Sequence, residues 1–389
     1  MTEPLQPPAT GRSRIESIDL LRGLVMVLML LDHTRDFVHS GAMRSDPLAL
    51  ETTTPLLYFT RWITHFCAPT FVFLAGVSAQ LQLQRGVAKR DLSRFLVTRG
   101  LFLIAVELIV LRPAMWFQFD FSRWAQLQVI WVLGCSMIAL AALIHAPQWL
   151  IAAFGLVQVL LHNAFDAVLV ARPARTFGEA LWSVLHQRNS IQLGGPHGPV
   201  ASVLYPLVPW MGVMALGFVA GSVFELDAPR RRALLARAGC AAIVIFAVLR
   251  GTNLYGDPRP WHAQSTIWRS LLDFLNTEKY PPSLAYLAMT LGPALLALAA
   301  LDGRKVVRLA RPLLTFGRVP LFFYVLQWPT VHLVSALFRR LDPDPRSSGG
   351  FGLPAVYLGW ALGLIALYPL CAWFAALKRR RSDAWLSYL

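Results

Sequence analysis

The sequence predicts an all-α polytopic membrane protein of about ten transmembrane helices, with both termini in the cytoplasm. Three observations predict it. The 389 residues are 56% hydrophobic and only 15% charged, with mean hydropathy +0.51; soluble domains are about 45–50% apolar and about 25% charged. About ten stretches stay apolar over the ~20 residues that a bilayer requires. The basic residues cluster in short segments between those stretches, as membrane topology demands.

The elements follow in order. Residues 1–17 are polar and contain prolines, and no cleavage site precedes the first apolar run. They read as a disordered cytoplasmic tail, with the first helix retained as an anchor. The first span starts near Ile18 (IDLLRGLVMVLMLLDHTRDF) and the second near Leu56, through ITHFCAPTFVFLAGVSAQL. Further spans start near Phe95, Leu127, Trp149, Val200, Ala233, Pro282, Pro312 and Gly352. Residues 18–377 then form one transmembrane domain, followed by a basic cytoplasmic tail at 378–389. Pro and Gly, 26 of each, are frequent within the spans, where neighbouring helices and water satisfy the freed backbone groups.

Orientation rests on the basic residues. With the N-terminus inside, Arg12 and Arg14, the cluster Arg85–Arg99, Arg230–Arg237, Arg304–Arg311 and Lys378–Arg381 all face the cytoplasm. Arg44, Arg112, Arg123, Arg172, Arg175, Arg188, Arg250, Arg259, Arg269, Lys279, Arg339, Arg340 and Arg346 fall outside, more thinly spread. Topology also accounts for the net charge of +15, so no nucleic-acid partner is expected. Cys67, Cys135, Cys240 and Cys371 lie in apolar stretches without CxxC pairing. Neither a disulfide framework nor a metal site is expected from them.

Ionisable groups within membrane helices are costly and therefore functional candidates. On this topology Asp32 and His33 occupy the outer half of the first helix, His65 that of the second and Glu107 that of the third. His162, Asn163 and Asp166 lie in the outer half of the fifth, and His332 in that of the ninth. Of nine histidines, only His145 is cytoplasmic; His39, His186, His197 and His262 lie in outer loops or flanks. The inference is a polar, hydrated cavity opening outward. The competing reading is a set of separate helix–helix hydrogen bonds.

The first helix carries a geometric argument. Arg22 and His33 are eleven positions apart, which at 3.6 residues per turn puts both on one face, roughly 16 Å apart. That suits an elongated anionic donor entering from the cytoplasm with its reactive end at the imidazole. Asp36, one turn beyond His33, is placed to hold a ring nitrogen. Asp32 points elsewhere, toward Arg35. The bland alternatives are a snorkelling or Asp19-paired Arg22 and a His33 that bonds a neighbouring helix.

The Arg22-x10-His33 pattern, within SIDLLRGLVMVLMLLDH, resembles the transmembrane acyltransferase superfamily. That group includes the acyltransferase-3 proteins and the heparan-α-glucosaminide N-acetyltransferase-like proteins. RFLVTRGLFLIAVEL, LQVIWVLGCSMI, YPLVPWMGVMALG, NLYGDPRPW, KYPPSLAYLAMTLGPALL and FGRVPLFFYVLQWP are similar to a bacterial branch, the DUF1624 family. The resemblance spans about Arg14 to His332. It implies transfer of an acyl group, typically acetyl, from cytoplasmic acyl-CoA to a sugar or amino sugar on the far side of a bacterial inner membrane. It also implies functional roles for Arg22 and His33. The heparan enzyme uses a histidine in its first outer loop; His39 occupies a comparable loop without a matching local motif. Where branch relatives have a histidine in helix 9, this chain has Gln327.

Acyl transfer needs a base or acyl carrier, which His33 supplies, with Asp36 and His65 as supporting groups. Arg22 meets a donor phosphate, and Arg61 is a second donor-binding candidate, also suited with Tyr205 to the oxyanion. Asp32, Glu107, Tyr205 and Lys279 are the acceptor-binding candidates; Glu107 alternatively orients a histidine or pairs with Arg112 or Arg61. The outer segment NLYGDPRPWHAQSTIWRSLLDFLNTEKYPPSL combines aromatic and polar groups that suit a carbohydrate, although Trp261 and Trp268 also fit an interfacial belt. Gly194, Gly195 and Gly198 are flexible turns. No cofactor is permanently bound; acetyl-CoA or another acyl-CoA is the donor substrate, and the bilayer and a carbohydrate acceptor are the partners. A homodimer is left open. The alternative is a transporter or flippase without acyl chemistry, for which no inverted repeat is visible. A non-catalytic envelope scaffold is the third reading.

Overall fold

The computed structural model describes residues 15–42, 44–117, 124–193, 195, 198–341, 350–381, 383 and 386. Arg12, Arg14, Arg123, Gly194, His197 and Arg346, and with them most of the expected N-terminal tail and half of the C-terminal one, lie outside the described residues.

The chain starts with α1 (Glu16–Val38). Next, α2 (Pro55–Trp62) passes through a tight turn into α3 (Cys67–Gln84). The following helix, α4 (Lys89–Ala105), widens into a π-helical segment at Val106–Leu111 and ends in α5 (Arg112–Trp116). Then come β1 (Trp124–Leu127), α6 (Val129–Leu143), α7 (Gln148–Leu161), α8 (Phe177–Leu185), β2 (Asn189–Gln192), β3 (Val200–Val203), α9 (Trp210–Ala220) and α10 (Ala228–Thr252). The last part holds α11 (Ile267–Leu275), α12 (Leu284–Leu301), α13 (Arg311–Arg318), α14 (Pro320–Leu341) and α15 (Leu353–Arg380).

Six helices among the described residues are long and apolar enough to cross a membrane: Pro55–Gln84, Gln148–Phe165, Ala228–Thr252, Leu284–Leu301, Pro320–Leu341 and Leu353–Arg380. Their outer faces remain apolar. Val244 is 61% exposed and Ile365 70% exposed, a belt that water would penalise and lipid tails accommodate. The protein is a multi-pass membrane protein. α1 spans 23 residues and is largely buried. It packs against α3, α12, α13, α14 and α15. That central place lets it carry charge, because its polar groups meet protein and cavity instead of lipid.

The chain is mostly helical, and to the expected helices the structure adds one small sheet. A three-stranded sheet runs in the order β1-β3-β2, with β1 parallel and β2 antiparallel to β3. The span expected from Val200 therefore begins ten residues later, at Trp210. Pro206 and Pro209 lack the amide hydrogen that a helix interior uses, and the short run VASV pairs as a strand instead. The span expected from Pro312 is likewise broken. α13 stops at Arg318, and Val319 leaves helical geometry at φ −133°, ψ 51°; the proline that follows disfavours helical backbone at that position. The basic run at the C-terminus continues helix α15 through Arg380, past the expected boundary at 377.

Glycine sets the closest helix contact. A Cβ on Gly23 would lie 1.9 Å from the Leu313 carbonyl oxygen, and one on Gly317 would lie 1.9 Å from that of Asp19. α1 and α13 thus touch backbone to backbone, as small residues allow in membrane bundles. The contact carries the Gly317 carbonyl to Arg22.

Candidate active site

Two cavities meet at α1. The smaller, about 230 Å³, holds Arg22 at one end and is lined further by Ser78, Gln82, Arg99 and Tyr324. The larger, about 1220 Å³, lies toward the C-terminal end of α1 and includes Asp36, Arg61, His65, Arg188 and Trp328. Asp32, His33, Gln128, Tyr205 and Lys279 line both. These five residues are the wall that the two cavities share, and Arg22 and His33 face the same smaller space. The helical spacing read from the sequence places them as expected.

Arg22 is held by acceptors on α1, α3 and α13. It donates to Ser78 Oγ at 2.9 Å, to the Gly317 carbonyl at 3.2 Å and to Asp19 at 3.4 Å. Its side chain is 15% exposed, enough to meet a ligand in the cavity.

His33 lies flat on Trp328, with ring centroids 4.0 Å apart and planes 24° apart, and Tyr324 meets it edge-on at 6.5 Å. Gln327, on the same turn of α14, adjoins the imidazole. The His33 Nδ1 is buried and has no protein partner. Asp36 does not supply one. Its carboxylate accepts from Arg35 at 2.7 Å, because that charged guanidinium lies on the adjacent residue.

Asp32 sits between two guanidiniums. Arg35 donates to it at 2.9 Å, and Arg61 donates to its other oxygen. The pairing with Arg35 agrees with the sequence reading; the one with Arg61 was not foreseen. Arg61 also reaches Thr64 Oγ1 at 3.2 Å. A buried carboxylate between two cations fixes α1 against α2, and with Asp36 on Arg35 the cluster holds two carboxylates and two guanidiniums.

His65 is buried; its carbonyl accepts from the Tyr286 hydroxyl at 2.8 Å, and its ring meets Tyr286 edge-on. Tyr205 is placed by the sheet, where Leu204 and Tyr205 N–H groups donate to the Leu127 carbonyl at 3.0 and 3.2 Å. Gln128, next after β1, is the N-cap of α6. Lys279 lies 5.2 Å over the Tyr280 ring.

Glu107 requires a different reading. Its carboxylate accepts the N–H groups of Ile130 and Trp131 at 3.1 Å each, and it lines neither cavity. It caps the buried N-terminus of α6, where orphaned amides and the helix dipole favour an anion. It holds neither a histidine nor Arg61.

The segment after α10 is knitted by one buried guanidinium. Arg250 donates to the carbonyls of Phe274, Arg259, Asp273 and Asn276. Asp257 accepts from the Glu278 amide at 3.1 Å and from Ser283 Oγ at 2.7 Å; burial holds its carboxyl above the usual carboxylate range. The result presents Glu278, Lys279 and Tyr280 to the larger cavity. Trp261 packs instead on Phe274 and Trp268 on Phe59.

His33, His39, His65 and His332 all line the larger cavity. His162 and His186 do not, so these histidines divide between two places. Sequence reasoning missed Trp328, Tyr324 and Ser78, which meet α1 only through helix packing.

A comparison with curated proteins found no match. A family profile described as heparan-alpha-glucosaminide N-acetyltransferase, catalytic, matches residues 14–256, the part that contains α1, the cavity-facing Arg22 and Arg61, and the wall residues Asp32, His33, Gln128 and Tyr205. The chain therefore belongs to the heparan-alpha-glucosaminide N-acetyltransferase catalytic family, which implies an acetyltransferase-type function.

Proposed function

We propose that the protein moves an acetyl group from cytoplasmic acetyl-CoA to a sugar or amino sugar on the far side of a bacterial inner membrane. Ten spans with both termini inside complete the topology. α1, α4, α6 and α9 add to the six apolar helices, and the basic clusters face the cytoplasm. One observation carries the reading: His33 borders both the cavity that holds Arg22 and the wider cavity beyond.

In this mechanism the donor's phosphates meet Arg22 and its thioester reaches the wall. The acceptor hydroxyl or amine enters the larger cavity and attacks the thioester carbonyl while His33 takes its proton. Arg61 and Tyr205 steady the developing oxyanion. The carbon–sulfur bond then breaks, and the CoA thiolate takes the proton from the imidazolium. The products are free CoA and the acetylated acceptor. Attack by His33 itself gives the two-step variant, in which the imidazole carries the acetyl group. Trp328 holds the ring in either case.

The test uses purified full-length protein in nanodiscs with labelled acetyl-CoA and a panel of amino sugars and envelope glycans. Wild type releases free CoA when an acceptor is present. His33→Ala binds CoA as wild type does and releases none. Undiminished turnover in that variant, or wild type that binds no acyl-CoA, overturns the reading; a transporter or scaffold gives the second result.

A further inference from the structure

Away from the acyl site, His162, Asp166 and His186 gather where α7 ends. Each offers one ligand atom, and these atoms lie within 4.8 Å of one another. The local sequence explains the meeting. His162 opens the short 3₁₀ turn that follows α7 and Asp166 is its C-cap, so the two side chains come together at the end of α7. His186 is the C-cap of α8, whose N-terminus is fixed by a Thr176–Glu179 capping box.

Both histidines are more than nine-tenths buried: His162 is 3% exposed and His186 6%. Neither ring nitrogen of His162 has a partner, and His186 Nε2 makes no hydrogen bond. A neutral imidazole has one donor and one acceptor, and burying both unmet is costly. His186 Nε2 lies 3.4 Å from Asp166 Oδ1. That is longer than the 2.7–3.2 Å of a sound N–H···O bond. It matches the ~3.4 Å edge of a tetrahedron whose metal–ligand arms are ~2.1 Å. The second carboxylate oxygen is already engaged: Asn163 Nδ2 donates to Asp166 Oδ2 at 2.8 Å, while Asn163 Oδ1 accepts from the Leu284 amide at 2.9 Å. Outer partners of this kind orient a ligating carboxylate.

We infer that His162, Asp166 and His186 form a binding site for a divalent transition-metal ion of the zinc class. Two imidazoles and one carboxylate suit zinc, and a solvent molecule fills the fourth position. The ion ties the end of α7 to the α8 segment and, through Asn163, to the start of α12. The absence of a metal site expected from the cysteines does not bear on this set, which contains none. The inference is independent of acyl transfer.

The test is metal content of the purified full-length protein after exposure to zinc chloride and dialysis. Wild type and the His145→Ala control retain about one tightly held zinc per chain. Asp166→Asn and the double variant His162→Ala/His186→Ala retain none. Cobalt(II) added to wild type gives tetrahedral d–d absorption that zinc abolishes, a readout that needs no variant. Folded wild type that holds no stoichiometric zinc and shows no such bands overturns the inference, as does zinc retained by the double variant.

Discussion

Replacing Arg22 by alanine tests the donor half of the proposed site. The structural loss is small. Asp19 is 3% exposed, but Arg318 approaches its other oxygen at 3.9 Å, so the carboxylate keeps a cation, and Ser78 Oγ still donates to the Leu74 carbonyl at 2.7 Å. The functional loss is larger. A charge-assisted hydrogen bond to phosphate contributes about 1.5–3 kcal/mol, so the Kd for CoA rises roughly 10- to 150-fold. Arg22→Lys falls between, because an ammonium keeps the charge but not the planar fork that spans two acceptors. The assay is calorimetric titration of CoA into nanodisc-embedded protein at two salt concentrations. Added salt weakens wild-type binding more than that of Arg22→Ala. Equal CoA affinity in folded wild type and variant would refute the phosphate role and, with it, the path through the smaller cavity.

Three further outcomes are expected. Trp328→Ala removes the stack under His33, an aromatic pair contributing about 0.5–1.5 kcal/mol; kcat falls about 2- to 13-fold with KM for acetyl-CoA unchanged, and Trp328→Phe restores most of it. Asp32→Ala leaves Arg35 and Arg61 without their shared carboxylate and lowers stability by about 3–5 kcal/mol, read as a lower melting temperature of the purified protein, whereas Asp32→Asn costs less. Gln128→Trp fills the wall between the cavities: CoA binding persists while acetyl release drops about tenfold or more, and full turnover in that variant places the transfer point elsewhere.

Helical periodicity made one half of the site legible. Arg22 and His33 lie on a single helix, so their common face follows from spacing, and the cavity they share is where that spacing puts it. Trp328 and Ser78 were not legible, because their meeting with α1 depends on how α14 and α3 pack against it, and the Gly23–Gly317 contact that seats α13 on α1 looks like any other pair of glycines in an apolar run. Glu107 shows how a sound rule misleads. A buried carboxylate in a membrane helix usually marks chemistry, but a buried helix N-terminus is an equally good counterpart, and only the fold shows which is present. The strands at Trp124–Leu127 and Val200–Val203 were hidden for a related reason: a short apolar run reads the same as a strand or as the first turn of a span.

An enzyme that hands an acyl group across a bilayer and a carrier that passes a whole solute make opposite demands on the wall between the cavities. A carrier must part the wall on every cycle, so the groups there have to exchange partners. This wall is braced against that. Asp32 is clamped by Arg35 from its own helix and by Arg61 from α2, His33 lies on Trp328, and Gln128 begins α6. Separating a buried ion pair costs about 3–5 kcal/mol, which would slow each opening about 10²- to 10⁴-fold. Acyl transfer escapes that penalty, because only an acetyl group crosses while the bulky ends of donor and acceptor stay in their own cavities. A shared wall held by these contacts, with an imidazole set into it, therefore favours chemistry over carriage.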